Sequence, residues 1–140
     1  MLEDAVLLDT HIWLWMEGGS DRLDESPALP LIRKALDRKR AFVSVMSIWE
    51  MGMLERKGRI RLQLDVNQWL EKALAVPGIS LQTLTPSIAL ESTRLPGEFH
   101  ADPMDRILVA TARELNAPII TADAAILAYA NRNYVKAVEA

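Results

Sequence analysis

The stretch "AVLLDTHIWLWMEGG", residues 5–19, changes character at its fifth position. Residues 5–8 are four consecutive apolar residues, too few for a helix, and they predict a strand buried on both faces. Asp9 ends that run. Residues 10–17 then read as a helix, stopped by Gly18-Gly19. A strand feeding a helix through one acidic residue is the opening of an α/β fold, and it puts Asp9 at the strand's carboxyl end.

Working outward, the same alternation recurs. Strands are predicted at 41–45, 79–84, 118–121 and 134–138. Helices are predicted at 31–40, 47–57, 65–76, 86–94, 103–115 and 123–131, with breaks at Gly58, Pro77-Gly78 and Pro96-Gly97. Residues 20–30 are polar and hold two prolines, so they read as a loop or a helix approach that either shapes a binding groove or only joins helices. Ile60, Leu62 and Leu64 alternate with polar residues and predict a short extended segment. Strands alternating with helices imply a three-layer α/β/α sandwich on a small, mainly parallel sheet, in a single domain spanning 1–140.

Composition sets outer limits. The 140 residues suit one core; half are hydrophobic and a quarter charged, an ordinary globular balance. No apolar run reaches the roughly 18 residues that would span a bilayer. The N-terminal apolar patch is interrupted by Asp9 and lacks a basic flank, so no signal peptide is expected. With no cysteine there is no thiolate metal site or nucleophile, which fits a cytoplasmic protein. The net charge of −3 leaves any affinity for a polyanion to local basic clusters. One cluster is Arg33, Lys34, Arg38, Lys39 and Arg40, read as a solvated helix face or end. The other is Arg56, Lys57, Arg59 and Arg61.

Four acids share one kind of position. Asp9 follows the first predicted strand. Glu50, in "SVMSIWE" (44–50), lies in the first turn after the second. Asp105, in "HADPMDRILVATARE" (100–114), lies in the first turn of its helix. Asp123 follows strand 118–121 and opens the next helix. Each has a structural explanation. Asp9 and Asp123 suit N-caps, Ser47-Ile48-Trp49-Glu50 is a capping-box pattern, and Asp102-Pro103 caps the helix that carries Asp105. Capping, however, does not require several acids to gather on one sheet edge. If they gather, their repulsion demands a cation. A carboxylate set without cysteine selects Mg²⁺ or Mn²⁺, and phosphodiester hydrolysis is the natural reaction.

The segments "LLDTHIWLW" (7–15), "SVMSIWEMGMLERKGRI" (44–60), "HADPMDRILVATAREL" (100–115) and "IITADAAI" (119–126) occur in the order and spacing of the PIN-domain ribonucleases. The chain is most similar to the VapC-type toxins of bacterial type II toxin–antitoxin systems. The resemblance covers nearly the whole chain. It implies that Asp9, Glu50, Asp105 and Asp123 are the catalytic, metal-holding acids, with Thr10 and Thr121 as supporting hydroxyl residues. It further implies one or two Mg²⁺ or Mn²⁺ ions, cleavage of RNA, a homodimer, and a cognate antitoxin that wraps the toxin with a helical tail and brings a basic side chain to the acids. Asp102 is expected to be a cap first and an outer helper second.

Other residues complete the expectations. Arg106 is expected in a salt bridge, with phosphate contact the lesser reading; together with Arg56, Lys57, Arg59 and Arg61 it completes the RNA-contact candidates. His11 and His100 are expected to play ordinary polar roles, because a metal-bound water needs no histidine to lose its proton. Trp13, Trp15, Trp49 and Trp69 are expected in the core or an interface; Trp13 and Trp15 lie on different helix faces, so one of them suits a partner contact. The competing readings are a non-catalytic PIN-fold binding module and a Mg²⁺-binding receiver domain. The receiver is disfavoured because the third predicted strand ends in Leu84-Thr85-Pro86, with no Asp to phosphorylate. A dinucleotide-binding fold is disfavoured because no glycine-rich turn follows the first strand.

Overall fold

A computed structural model of the chain describes residues 3–140. Five strands, β1 (Val6–Leu8), β2 (Ala41–Ser44), β3 (Ile79–Gln82), β4 (Ile119–Thr121) and β5 (Ala137–Glu139), form one sheet in the order β3-β2-β1-β4-β5. Every pairing is parallel, with Leu8 opposite Val43 on one side and Ile120 on the other. The order reverses direction around β1. The crevice between the carboxyl ends of β1 and β4 is therefore the topological switch point, where open α/β sheets place their sites.

The helices are α1 (Thr10–Glu17), α2 (Leu29–Asp37), α3 (Val45–Arg56), α4 (Val66–Ala75), α5 (Pro86–Ser92), α6 (Pro103–Leu115) and α7 (Ala124–Asn131). Side chains of β1 alternate between two cores, as a strand covered on both faces must. Val6 and Leu8 join Ile12, Trp13, Ile32, Met51 and Trp69 from α1 to α4. Leu7 joins Ile88, Leu108, Ile126 and Tyr129 from α5 to α7. This is the three-layer sandwich expected. In the first core Trp13 meets Trp69 edge-on at 5.1 Å between centroids, worth about 1 kcal/mol beyond the area buried. Trp49, by contrast, faces solvent on α3 rather than entering a core.

Several local expectations give way. The capping box at Ser47 does not form. The N-cap of α3 lies three residues earlier, where the Ser44 hydroxyl accepts from the Met46 amide, and Ser47 is buried inside the helix. Glu50 therefore sits in the second turn of α3, not the first. Residues 60–64 form an irregular connection and no strand, since no neighbouring strand lies alongside to pair with them. The segment 20–30 contains a 3-10 turn at Asp21–Leu23, and Pro30 falls in the first turn of α2, where its missing amide costs nothing. Gly78, at φ +93°, lies against the Leu36 carbonyl so closely that a β-carbon would collide with backbone. Of the first basic cluster, Lys34 and Arg38 pair with Asp4 and Arg40 donates to the Glu3 carbonyl.

Candidate active site

Asp9, Glu50, Asp102, Asp105 and Asp123 line one open cleft of about 450 Å³ at the switch point. His11, Trp15 and Arg22 complete its wall. The acids arrive there by different routes. Asp9 caps α1 at the end of β1, and Asp123 caps α7 after β4, its Oδ1 accepting from the Ile126 amide at 3.0 Å. Asp102 caps α6, accepting from the Met104 and Asp105 amides at 2.9 and 3.2 Å, and so fixes where Asp105 emerges. For Asp9 and Asp123 capping and gathering coexist because a helix that follows a parallel strand starts at the strand's carboxyl end, whereas α6 follows α5 and its start is brought to the same edge by packing.

Asp9 is the most tightly held. Its Oδ1 accepts from the Thr10 amide at 2.7 Å and its Oδ2 from the Thr121 hydroxyl at 2.7 Å, a contact across 112 residues of sequence. The Thr121 hydroxyl in turn accepts from the Asp123 amide at 2.9 Å, so one hydroxyl ties β1 to the start of α7. Thr10 acts in two directions: its amide holds Asp9, while its hydroxyl donates to Ser47 at 2.8 Å and fastens α1 to α3, the helix bearing Glu50. Thr10, Ser47 and Thr121 are fully buried. Burial raises the Asp9 pKa, opposed by its bonds to Thr121 and Thr10 and by nearby His11, and reinforced by Asp123.

Asp105 carries the largest electrostatic load. Burial, then repulsion from Asp123, Asp102 and Asp9, pushes its pKa up to about 7, with His100 acting the other way. His100 Nε2 lies 3.0 Å from Asp105 Oδ2. The His100 ring is itself held edge-on by Phe99, 4.5 Å between centroids. His100 is thus not an ordinary loop residue. It is the direct partner of a cleft carboxylate.

The donor set is entirely hard oxygen, and its mutual repulsion is what a divalent cation relieves. The residues fit Mg²⁺ or Mn²⁺ in chemistry and in charge. Among the described residues, no three carboxylate or imidazole groups converge on a single point at ligand distance. Asp105 Oδ2 is turned to His100, and both Asp9 oxygens accept from Thr10 and Thr121, bonds of the kind that orient carboxylate ligands.

A family model described as the PIN domain matches residues 6–132, from β1 through α7. The chain belongs to the PIN-domain family. It is 30% identical over 120 residues to Ribonuclease VapC22 of Mycobacterium tuberculosis (strain ATCC 25618 / H37Rv), an alignment covering 85% of this chain and 87% of that one. In fold it is similar to a chain of a toxin–antitoxin complex from Klebsiella pneumoniae, with a TM-score of 0.56, 21% identity, and coverage of 85% of this chain and 87% of that one. The membership identified from the four sequence segments is therefore of the VapC type.

Within this PIN domain the basic candidates fall away from the acids. Arg56, Lys57 and Arg59 are exposed at the end of α3 and beyond it, and Arg61 lines a separate, apolar cleft between α1 and α4. Arg106 makes neither the expected salt bridge nor a cleft contact. Its guanidinium donates to the Ser92, Phe99 and His100 carbonyls at 2.8, 3.0 and 3.2 Å, clamping the α5–α6 loop and so holding His100 in place. A cation adjacent to an acid in sequence reads as an ion-pair partner; backbone carbonyls at the end of α5 and in the α5–α6 loop carry no residue-type signal. Ser47, His100 and Arg22 were the site residues not legible beforehand. Ser47 was masked by the false capping box, and Arg22 by its place in an apparently irregular loop.

Proposed function

We propose that this chain is a metal-dependent endoribonuclease, the toxin of a toxin–antitoxin pair, acting as one PIN domain in the cytoplasm. The observation that carries the reading is the gathering of Asp9, Glu50, Asp105 and Asp123 in one cleft, where burial and then repulsion from Asp123, Asp102 and Asp9 push the Asp105 pKa up to about 7. Such a site is costly to build and has a use only when positive charge enters it.

The four acids would hold one or two Mg²⁺ or Mn²⁺ ions. When bound, the ion supplies an acidified water and neutralises charge developing on a phosphoryl group. The chain's own residues provide the rest. Thr121 and the Thr10 amide fix the Asp9 carboxylate. Asp102, by capping α6, sets the position of Asp105. His100 holds the Asp105 carboxylate in one rotamer. Ser47, through Thr10, holds α3 and therefore Glu50 against the cleft. Products with a 5′-phosphate and a 3′-hydroxyl are expected.

The antitoxin contact fits the apolar cleft lined by Leu14, Trp15, Ile60, Leu62 and Trp69, which shares His11 and Trp15 with the acid cleft. A helical segment seated there would bring a basic side chain within reach of the acids. A homodimer is part of the same proposal. The test is cleavage of a mixed RNA pool with Mg²⁺, with Mn²⁺ and with chelator. Cleavage that survives chelation overturns the metal dependence, and no cleavage under any condition overturns the ribonuclease reading and leaves the non-catalytic PIN module in its place.

A further inference from the structure

The loop at 20–30 places one arginine on the acid cleft. Arg22 lines it beside Asp9, Glu50, Asp102, Asp105 and Asp123, with its guanidinium carbon 4.9 Å from the centroid of the Trp15 ring. The loop is pinned in three ways. The Ser20 hydroxyl accepts from the Arg22 amide at 3.2 Å, the Ser20 amide donates to the Trp15 carbonyl at 3.0 Å, and the Leu23 side chain is buried in the first core. The backbone at Arg22 is thus held in place, with the exposed side chain lying over Trp15 at the cleft rim.

Its donors are nonetheless unspent. Among the described residues, no carboxylate pairs with the Arg22 guanidinium and no carbonyl accepts from it, although five acids line the same cleft. This sets it apart from Arg106, whose guanidinium is consumed by carbonyls, and from Arg56, Lys57 and Arg59, which do not line the cleft. A guanidinium carbon set over an indole ring is held there by cation–π attraction, and its unpaired N–H groups remain donors of the kind that bind a phosphate. A polyanion approaching five carboxylates needs fixed positive charge at the rim, and Arg22 is the arginine the fold supplies there.

We propose that Arg22, set over the Trp15 ring, is a substrate-binding residue that takes a backbone phosphate of single-stranded RNA flanking the cleaved position. The loop at 20–30 exists in this view to carry it. The proposal rests on the ribonuclease reading above. The contact is to the phosphate backbone, so it adds affinity for any RNA sequence and selects none.

The test is steady-state cleavage of a short mixed-sequence single-stranded RNA with Mn²⁺ at several KCl concentrations, for the wild type, Arg22→Ala and Arg22→Lys. Thermal melts confirm that each variant is folded. Arg22→Ala is expected to raise KM about tenfold, and to make the plot of log(kcat/KM) against log[salt] shallower by about 0.7, the loss of one phosphate contact to a single strand. Arg22→Lys is expected to keep the wild-type salt slope with an intermediate KM, because the charge remains and the planar fork is lost. A wild-type KM or salt slope in folded Arg22→Ala, or an alanine-like slope in Arg22→Lys, overturns the proposal while the wild type still cleaves. Absence of cleavage by the wild type itself overturns the ribonuclease reading, and this one with it.

Discussion

Replacing Asp105 with Asn is expected to stabilise the metal-free protein while abolishing cleavage. The Asp105 pKa is raised from 3.8 in a free chain to about 7 in the fold, chiefly by burial and then by Asp123, Asp102 and Asp9. A carboxyl with a raised pKa binds more protons folded than unfolded, so its contribution to stability is fully present below about pH 4. It is lost as pH rises through 7. Between about pH 5 and pH 8, linkage assigns to Asp105 a loss of about 2.5 kcal/mol. For a chain of this length that is a fall of roughly 8–10 °C in Tm. Asn keeps the shape, and its side-chain oxygen can still accept from His100, yet it has no charge to lose. The assay is a thermal melt at pH 5 and pH 8 in chelator, for both proteins. Glu17 also has a raised pKa and lowers stability in the same direction, equally in both proteins; the Asp9 pKa is raised too, and because Asp9 and Asp105 repel each other the difference in pH slope reads Asp105 together with its repulsion of its neighbours. Parallel slopes for wild type and variant would refute the electrostatic account of the cleft.

Four further outcomes are expected. Asp9→Asn should remove detectable cleavage with the fold retained, read by RNA cleavage beside circular dichroism. Thr121→Val should cost about 1–3 kcal/mol, because it strips the Asp9 carboxylate of its hydroxyl donor and the Asp123 amide of its acceptor; metal affinity should fall roughly 10–100-fold, measured by calorimetric titration with Mn²⁺. Gly78→Ala should destabilise by about 2–4 kcal/mol in chemical denaturation, since the residue has φ +93° and a β-carbon would meet the Leu36 backbone. Millimolar Mn²⁺ should raise the wild-type Tm at pH 8 by mass action, about 2.7 kcal/mol at a hundredfold excess over Kd, and should do so much less in Asp105→Asn; equal shifts in the two would remove Asp105 from the ligand set.

Much of the fold was legible because its signals are local. The bounds of α1 and α6 follow from Asp9 with Gly18 and from Asp102 with Pro103, each a cap within a few residues of what it caps. Strand β1 reads as buried on both faces because four apolar residues stand together, and Val6 and Leu7 indeed enter different cores. The misreadings are equally physical. Ser47 satisfies a capping pattern in sequence, yet Ser44 is the cap and the Ser47 hydroxyl is claimed by Thr10, 37 residues earlier. Residues 60–64 alternate like a strand, but alternation cannot make one without a neighbour to bond to.

By itself the sequence determined the kind of fold and where Asp9, Asp105 and Asp123 stand along their own strands and helices, whereas it puts Glu50 one turn too early. Periodicity and caps are properties of three to five consecutive residues. Only the tertiary structure decided that β1 and β4 lie side by side, so that Thr121 reaches Asp9 and five carboxylates face one cleft. It also decided that His100 turns to Asp105, that Arg106 serves loop carbonyls, and that Arg22 rests on Trp15 at the rim. Those are contacts between segments brought together by sheet order and packing, and charge repulsion acts through space, so its strength depends on distances that no spacing along the chain records.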